Sequence, residues 1–141
     1  METHLQDHEL TTRLRHVGLR PTRQRVALAR LLLQQGPRHV TAEALHAEAD
    51  AIGIPVSLAT VYNTLHQFTE AGLLRQVVVA QGRSYFDTNT ADHHHFYFED
   101  SGRLQDIDAG HVAFDRLPQT PDGTELHRID VIIRVREPSA K

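Results

Sequence analysis

The chain has 141 residues, 40% of them hydrophobic and 23% charged, which is the composition of a globular protein with room for one ordinary domain or two small ones. It contains no cysteine, so disulfides, thiolate zinc sites and cysteine nucleophiles are excluded. The net charge of −3 hides an asymmetry: seven arginines and no acidic residue lie between Glu9 and Glu43, while residues 89–141 carry six basic and ten acidic side chains. A basic N-terminal segment on an acidic remainder suits an anionic partner bound at one end.

Four helices are expected first. Residues 5–17 place Leu10, Leu14 and Val17 at helical spacing, with Gly18 as a natural stop. A second helix runs from Thr22 to about Gln35, with Val26, Ala29 and Leu33 on its apolar face and Gly36-Pro37 after it. Thr41 caps a third, in which Leu45, Ala49 and Ile52 line up. Ser57 caps the fourth, which runs to Ala71-Gly72 and buries Val61, Leu65 and Phe68. Ala59, Asn63, His66 and Glu70 then lie opposite, with Thr60 and Tyr62 on the flanks. Ser57, Thr60, Tyr62 and Asn63 are side chains that reach phosphates and base edges when a helix N-terminus enters a major groove.

After Gly72 the pattern changes to strands. Residues 74–80 and 83–87 form a hairpin about Gln81-Gly82. Helices followed by a basic hairpin have the order of a winged helix-turn-helix; the competing reading is a helical domain that happens to end in a hairpin. A polar join at 89–92 divides the chain into residues 1–88 and 89–141. Beyond it, residues 94–98 and 103–107 pair around Asp100-Ser101-Gly102. A short helix is expected over 109–117, and then a strand over 128–136 with Ile129, Val131, Ile133 and Val135 on one face. The fold class is α+β. About 50 residues make a marginal domain, so a homodimer interface is expected to cover the apolar face of this small sheet. No apolar run approaches the roughly 20 residues of a membrane span, and the N-terminus lacks the regions of a signal peptide, so no membrane partner and a cytoplasmic location are expected.

Histidine is in excess, at eleven residues, and three of these are consecutive. On a strand His93 and His95 share one face and His94 takes the other. Two imidazoles at i and i+2 on a rigid strand make half of a metal site. His4, His8, His16, His46 and His66 read as ordinary surface histidines.

Four stretches, in order, resemble the ferric uptake regulator family: Gly18-Leu19-Arg20-Pro21-Thr22-Arg23-Gln24-Arg25, His39-Val40-Thr41-Ala42-Glu43, Ser57-Leu58-Ala59-Thr60-Val61-Tyr62-Asn63-Thr64-Leu65, and the histidine run. The likeness covers roughly residues 10–136. It implies a homodimeric winged-helix transcription regulator, not an enzyme, whose binding to double-stranded DNA is set by a metal. Within the family the chain looks most like the iron response regulators, which carry three histidines here and respond to haem. The cysteine pairs that hold structural zinc in other branches have no counterpart; Asp100-Ser101-Gly102 stands in their place.

The resemblance assigns a hinge metal site to His39, Asp87, His93, His95 and Asp106. This places His39 before the third helix, Asp87 at the end of the hairpin, the two histidines on one strand and Asp106 on its partner. Imidazole and carboxylate donors without sulfur favour Fe²⁺, Mn²⁺ or Zn²⁺. It assigns a second site, for another metal or for haem, to His94 and His127, with His111 as the helix residue. On the DNA side it assigns Arg20 to a minor groove and Tyr62 and Asn63 to base reading, with Ser57 and Thr60 beside them. A peroxide sensor of the same fold is the nearer alternative function. A metal-dependent oxygenase or hydrolase leaves the helix and wing order unexplained, and a protein-only interaction module is a third reading, which salt-sensitive, sequence-selective DNA binding would rule out.

Overall fold

Helix α1 (Asp7–His16) packs on α2 (Arg23–Leu33), and α2 in turn on α3 (Ala42–Ala51), which lies against α4 (Leu58–Glu70). The computed structural model describes residues 6–80 and 82–139, so the expected start of the first helix at Leu5, His4 and the Gln81 half of the hairpin turn lie outside the described residues. The chain divides into two units, one up to Thr90 and one from Ala91.

The helix boundaries follow from capping chemistry. Thr22, Thr41 and Ser57 each hold extended backbone and accept an N–H from three residues on: Arg25, Ala44 and Thr60. After α4, Gly72 adopts φ +84°, where a side chain would be strained, and lets the Leu73 N–H reach back to the Phe68 carbonyl at 2.9 Å. Leu10, Leu14, Leu28, Leu32, Leu45, Val61, Leu65 and Phe68 form one buried core with Leu74 and Phe86.

The stripes on α1 and α4 agree with helical spacing, except that Val17 is only half-buried. On α2 the buried face is Leu28, Ala29 and Leu32, while Val26 and Leu33 are half-buried. That helix is apolar almost all round from Val26 to Leu33, so several faces satisfy the periodicity and packing chooses among them. On α3, Ile52 is 60% exposed and Ala42 takes its place in the core, because Ile52 is the C-cap and falls outside the helical wheel.

The first unit closes with a three-stranded antiparallel sheet in the order β1 (His39–Val40), β3 (Arg83–Asp87), β2 (Arg75–Ala80). The β2–β3 pair with its register shift near Val78 is the wing of a winged helix-turn-helix. The second unit is a three-stranded sheet in the order β5 (Arg103–Asp108), β4 (His93–Phe98), β6 (Ile132–Val135). β4 and β5 are antiparallel with His95 opposite Asp106, and β6 joins β4 in parallel. Two expectations fail here. The helix expected over 109–117 is only a 3₁₀ turn at Ala109–His111, because Pro118 and Pro121 follow closely and the segment buries no apolar stripe. The last strand has four residues rather than nine, and Ile133 is exposed, because only the stretch beside β4 finds hydrogen-bond partners.

If the Ser57 cap holds the start of α4, Ser57→Ala will lower the unfolding free energy of the protein by about 1 kcal/mol, and Ser57→Gly by only a few tenths, in urea titrations followed by circular dichroism.

Candidate metal centre

Each unit presents its own set of donors. In the first, β1 is two residues long, and its register puts His39 opposite Asp87 and Val40 opposite Phe86. His39 Nε2 stands 3.2 Å from Asp87 Oδ2. Asp87 is fully buried, and its Oδ1 accepts the Asn89 N–H at 2.9 Å. The carboxylate is thereby oriented before any ligand arrives.

A strand of two residues cannot hold its own register, and Arg38 does it instead. Its guanidinium grips both oxygens of Glu48 on α3, at 2.9 and 2.6 Å, and donates to the Leu31 carbonyl in the last turn of α2 at 2.9 Å. Its backbone N–H donates to Thr88 Oγ1 at 2.9 Å, and its carbonyl accepts the Thr88 N–H at 3.1 Å. Forked pairing of this kind fixes geometry as well as charge. Nothing in the sequence pattern marked Arg38, because its partners lie on two different helices.

In the second unit, His93 and His95 are almost wholly buried on one face of β4, with ring centroids 4.6 Å apart. Both Nε2 atoms stand 3.4 Å from the same Asp106 oxygen. One donor atom from each of the three residues lies within 4.8 Å of the others. His93 Nδ1 is 2.5 Å from the Ala91 carbonyl and so carries a proton, which leaves the Nε2 lone pair for a ligand. This is the outer hydrogen bond that metal-binding imidazoles usually make. Both sets of donors are nitrogen and carboxylate oxygen, without sulfur, and suit Fe²⁺, Mn²⁺ or Zn²⁺.

His94 is buried on the opposite face of β4 and does something different. Its Nδ1 accepts the Val131 N–H at 3.0 Å, and its ring meets Phe114 edge-on at 6.3 Å. An accepting Nδ1 has no proton, so the neutral ring carries it on Nε2 and presents N–H there rather than a lone pair. His111 and His127 are both exposed, and among the described residues neither joins His94 in a group of three donors.

The DNA-facing candidates lie in the first unit. Arg20, Tyr62 and Asn63 are exposed. Ser57 and Thr60 are engaged with each other: Ser57 accepts the Thr60 N–H at 3.1 Å and donates its hydroxyl to Thr60 Oγ1 at 2.9 Å. Of the seven arginines before Glu43, three are turned to internal use. Arg25 donates to the Arg20 carbonyl and to Gln67, Arg30 pairs with Asp7, and Arg38 pairs with Glu48. Arg13, Arg15, Arg20 and Arg23 remain exposed as the basic surface.

Comparison with known proteins fits this architecture. The sequence matches the ferric uptake regulator family over residues 16–132. The peroxide-responsive repressor PerR of Staphylococcus aureus is 30% identical over 131 residues, which span 89% of this chain and 88% of that protein. The manganese-containing structure of the ferric uptake regulator from Pseudomonas aeruginosa superposes with a TM-score of 0.68 at 29% identity, covering 90% of this chain and 96% of that one. The Vibrio cholerae ferric uptake regulator shares the fold, with a TM-score of 0.70 at 23% identity over 89% of this chain and 98% of its own.

Calorimetric Mn²⁺ titrations will separate the roles of these residues. Arg38→Ala will weaken Mn²⁺ binding by about tenfold, the scale on which outer-shell partners act. His94→Ala will leave Mn²⁺ affinity within about twofold while costing about 1 kcal/mol of stability through the lost Val131 hydrogen bond. Equal Mn²⁺ affinity in Arg38→Ala and the parent protein would mean that His39 is held without the clamp.

Proposed function

The chain belongs to the ferric uptake regulator family, and from that membership we propose that it is a homodimeric, metal-responsive repressor acting on double-stranded DNA in the cytoplasm. Proteins of this family are DNA-binding transcription regulators rather than enzymes. The observation that carries the metal response is the paired imidazoles His93 and His95, buried on one strand face with both Nε2 atoms on Asp106. Two adjacent buried imidazoles aimed at one carboxylate oxygen are a poor way to build a core and a good way to build half a coordination sphere.

In this reading His39 and Asp87 offer a divalent ion one set of donors, and His93, His95 and Asp106 offer another. A bound ion would supply the charge that draws the donors of each set together. Metal binding would then change how well the dimer fits half-sites about one helical turn apart. Arg20 enters the minor groove, and Tyr62 and Asn63 read base edges, with Asn63 suited to adenine. Ser57 and Thr60 contribute through the start of α4.

Two signals are compatible with this centre. Peroxide sensing is favoured by the likeness to PerR, and by the imidazole-rich, sulfur-free donor set, in which His39 and His93 are the side chains open to oxidation. An iron response through haem at His94, with His127 and His111, is the second. It requires the His94 proton to move to Nδ1 and the bond to the Val131 N–H to break, which places it behind the peroxide reading.

The test uses a DNA duplex selected from a random-sequence pool by the Mn²⁺-loaded protein. Mn²⁺ will raise the affinity for this duplex by about tenfold or more, a coupling of about 1.4 kcal/mol. His93→Ala and His95→Ala will abolish that increase. Arg20→Ala and Tyr62→Ala will weaken binding with the fold intact by circular dichroism. Peroxide treatment of the Fe²⁺-loaded protein will add one oxygen atom to His39 or His93 by mass spectrometry, whereas a haem response will lower DNA affinity in the parent and not in His94→Ala. Identical curves with and without Mn²⁺ would overturn the proposal.

A further inference from the structure

Glu43 sits in the first turn of α3, and its carboxylate accepts the Tyr62 hydroxyl at 2.8 Å. Tyr62 is 37% exposed, so a free phenol there would sample several orientations in water. The hydrogen bond draws the Glu43 carboxyl below its ordinary pKa and pushes the Tyr62 phenol above its own. The pair is therefore carboxylate and phenol, acceptor and donor, throughout the neutral range. An anion on a face offered to phosphates weakens nucleic-acid binding by simple Coulomb repulsion. A carboxylate at that place requires an offsetting gain.

The second contact comes from His66, one turn further along α4. Its ring lies nearly parallel to that of Tyr62, 18° apart in plane with centroids 6.4 Å apart. The His66 ring also makes a T-shaped contact with Phe86, with centroids 5.5 Å apart. Phe86 is fully buried on β3, opposite Val40 and immediately before Asp87. Tyr62 is thus bounded at its hydroxyl by α3 and along its ring by a histidine seated on the core.

We infer that Glu43 and His66 are positioning residues for the recognition tyrosine, the carboxylate fixing where the Tyr62 hydroxyl stands and the imidazole fixing the plane of its ring. The inference rests on the reading that Tyr62 meets DNA. Ordering one such side chain in advance is worth about two- to tenfold in affinity, because binding no longer has to immobilise it. The arrangement also selects among sequences. A phenol held by a carboxylate has spent its proton on Glu43 and offers the DNA only its oxygen lone pairs and the edge of its ring. It therefore favours base edges that donate a hydrogen bond or present a methyl group, such as the cytosine amino group or the thymine methyl.

The experiment is a double-mutant cycle on the Mn²⁺-loaded protein, with dissociation constants for the selected duplex. Glu43→Ala will weaken binding about threefold or more when Tyr62 is present. In the Tyr62→Phe background it will leave affinity unchanged or raise it, since only the repulsive charge is then removed. An equal change in both backgrounds would show that Glu43 acts only as a charge, and would overturn its positioning role. His66→Ala will weaken binding with Tyr62 present and have no effect beside Tyr62→Ala, and His66→Phe, which keeps the stack without hydrogen-bonding nitrogens, will restore affinity. Failure of His66→Phe to restore it, with unchanged melting, would assign His66 to direct contact instead. Should Tyr62→Ala bind as tightly as the parent, the reading of Tyr62 as a DNA contact falls, and the positioning roles with it. A loss in Tyr62→Ala without any loss in Glu43→Ala or His66→Ala would remove the positioning roles alone.

Discussion

Alternation of side chains along β4 is the constraint from which the chemistry of the second unit follows. The strand lies between β5 and β6 and is buried on both faces, so three consecutive histidines are all taken out of water. Each buried imidazole must then find polar partners, and the two faces offer different ones. On one, the antiparallel ladder delivers Asp106 opposite His95, two residues from His93. On the other, the chain entering β6 brings the Val131 amide to His94. Candidate metal donors and a fastener for a parallel strand are thus consecutive in sequence.

The first unit solves a different problem, that of keeping a two-residue strand in register. β1 contributes little ladder of its own, and the forked Arg38–Glu48 pair with the Thr88 exchange supplies the rest. The same economy applies to the neighbouring arginines. Arg25 ties the Arg20 segment to α4 through Gln67, and Arg30 ties α2 to α1 through Asp7. Charge that looked in the sequence like a uniform basic surface is divided between internal fastening and an exposed set of Arg13, Arg15, Arg20 and Arg23.

Strand β3 serves two purposes at its C-terminal end. Asp87 faces His39, and the residue before it, Phe86, contacts His66, whose ring in turn lies nearly parallel to that of Tyr62. Because successive residues of a strand point to opposite faces, one peptide bears both a candidate metal ligand and the ring that His66 packs on. The His39–Asp87 pair and the Glu43–Tyr62–His66 cluster are therefore linked to a common backbone segment within a single unit.

Much of this was determined by local sequence. Helical spacing, three threonine or serine caps and the switch to period two after Gly72 specify the element order. Alternation alone puts His93 and His95 on one face and His94 on the other. These are properties of short stretches of chain, and short-range physics is enough for them. Tertiary structure decided what short stretches leave degenerate. It chose Leu28 and Leu32 over Val26 and Leu33 on a helix apolar nearly all round, and it left residues 112–117 without a helix. It also created β1, whose two residues carry no periodicity at all and exist as strand only because β3 lies beside them. The same holds for Glu43 and Tyr62, nineteen positions apart, and for Arg38 with its partners on two helices. Such contacts depend on where two elements come to lie, and no pattern within either element encodes that.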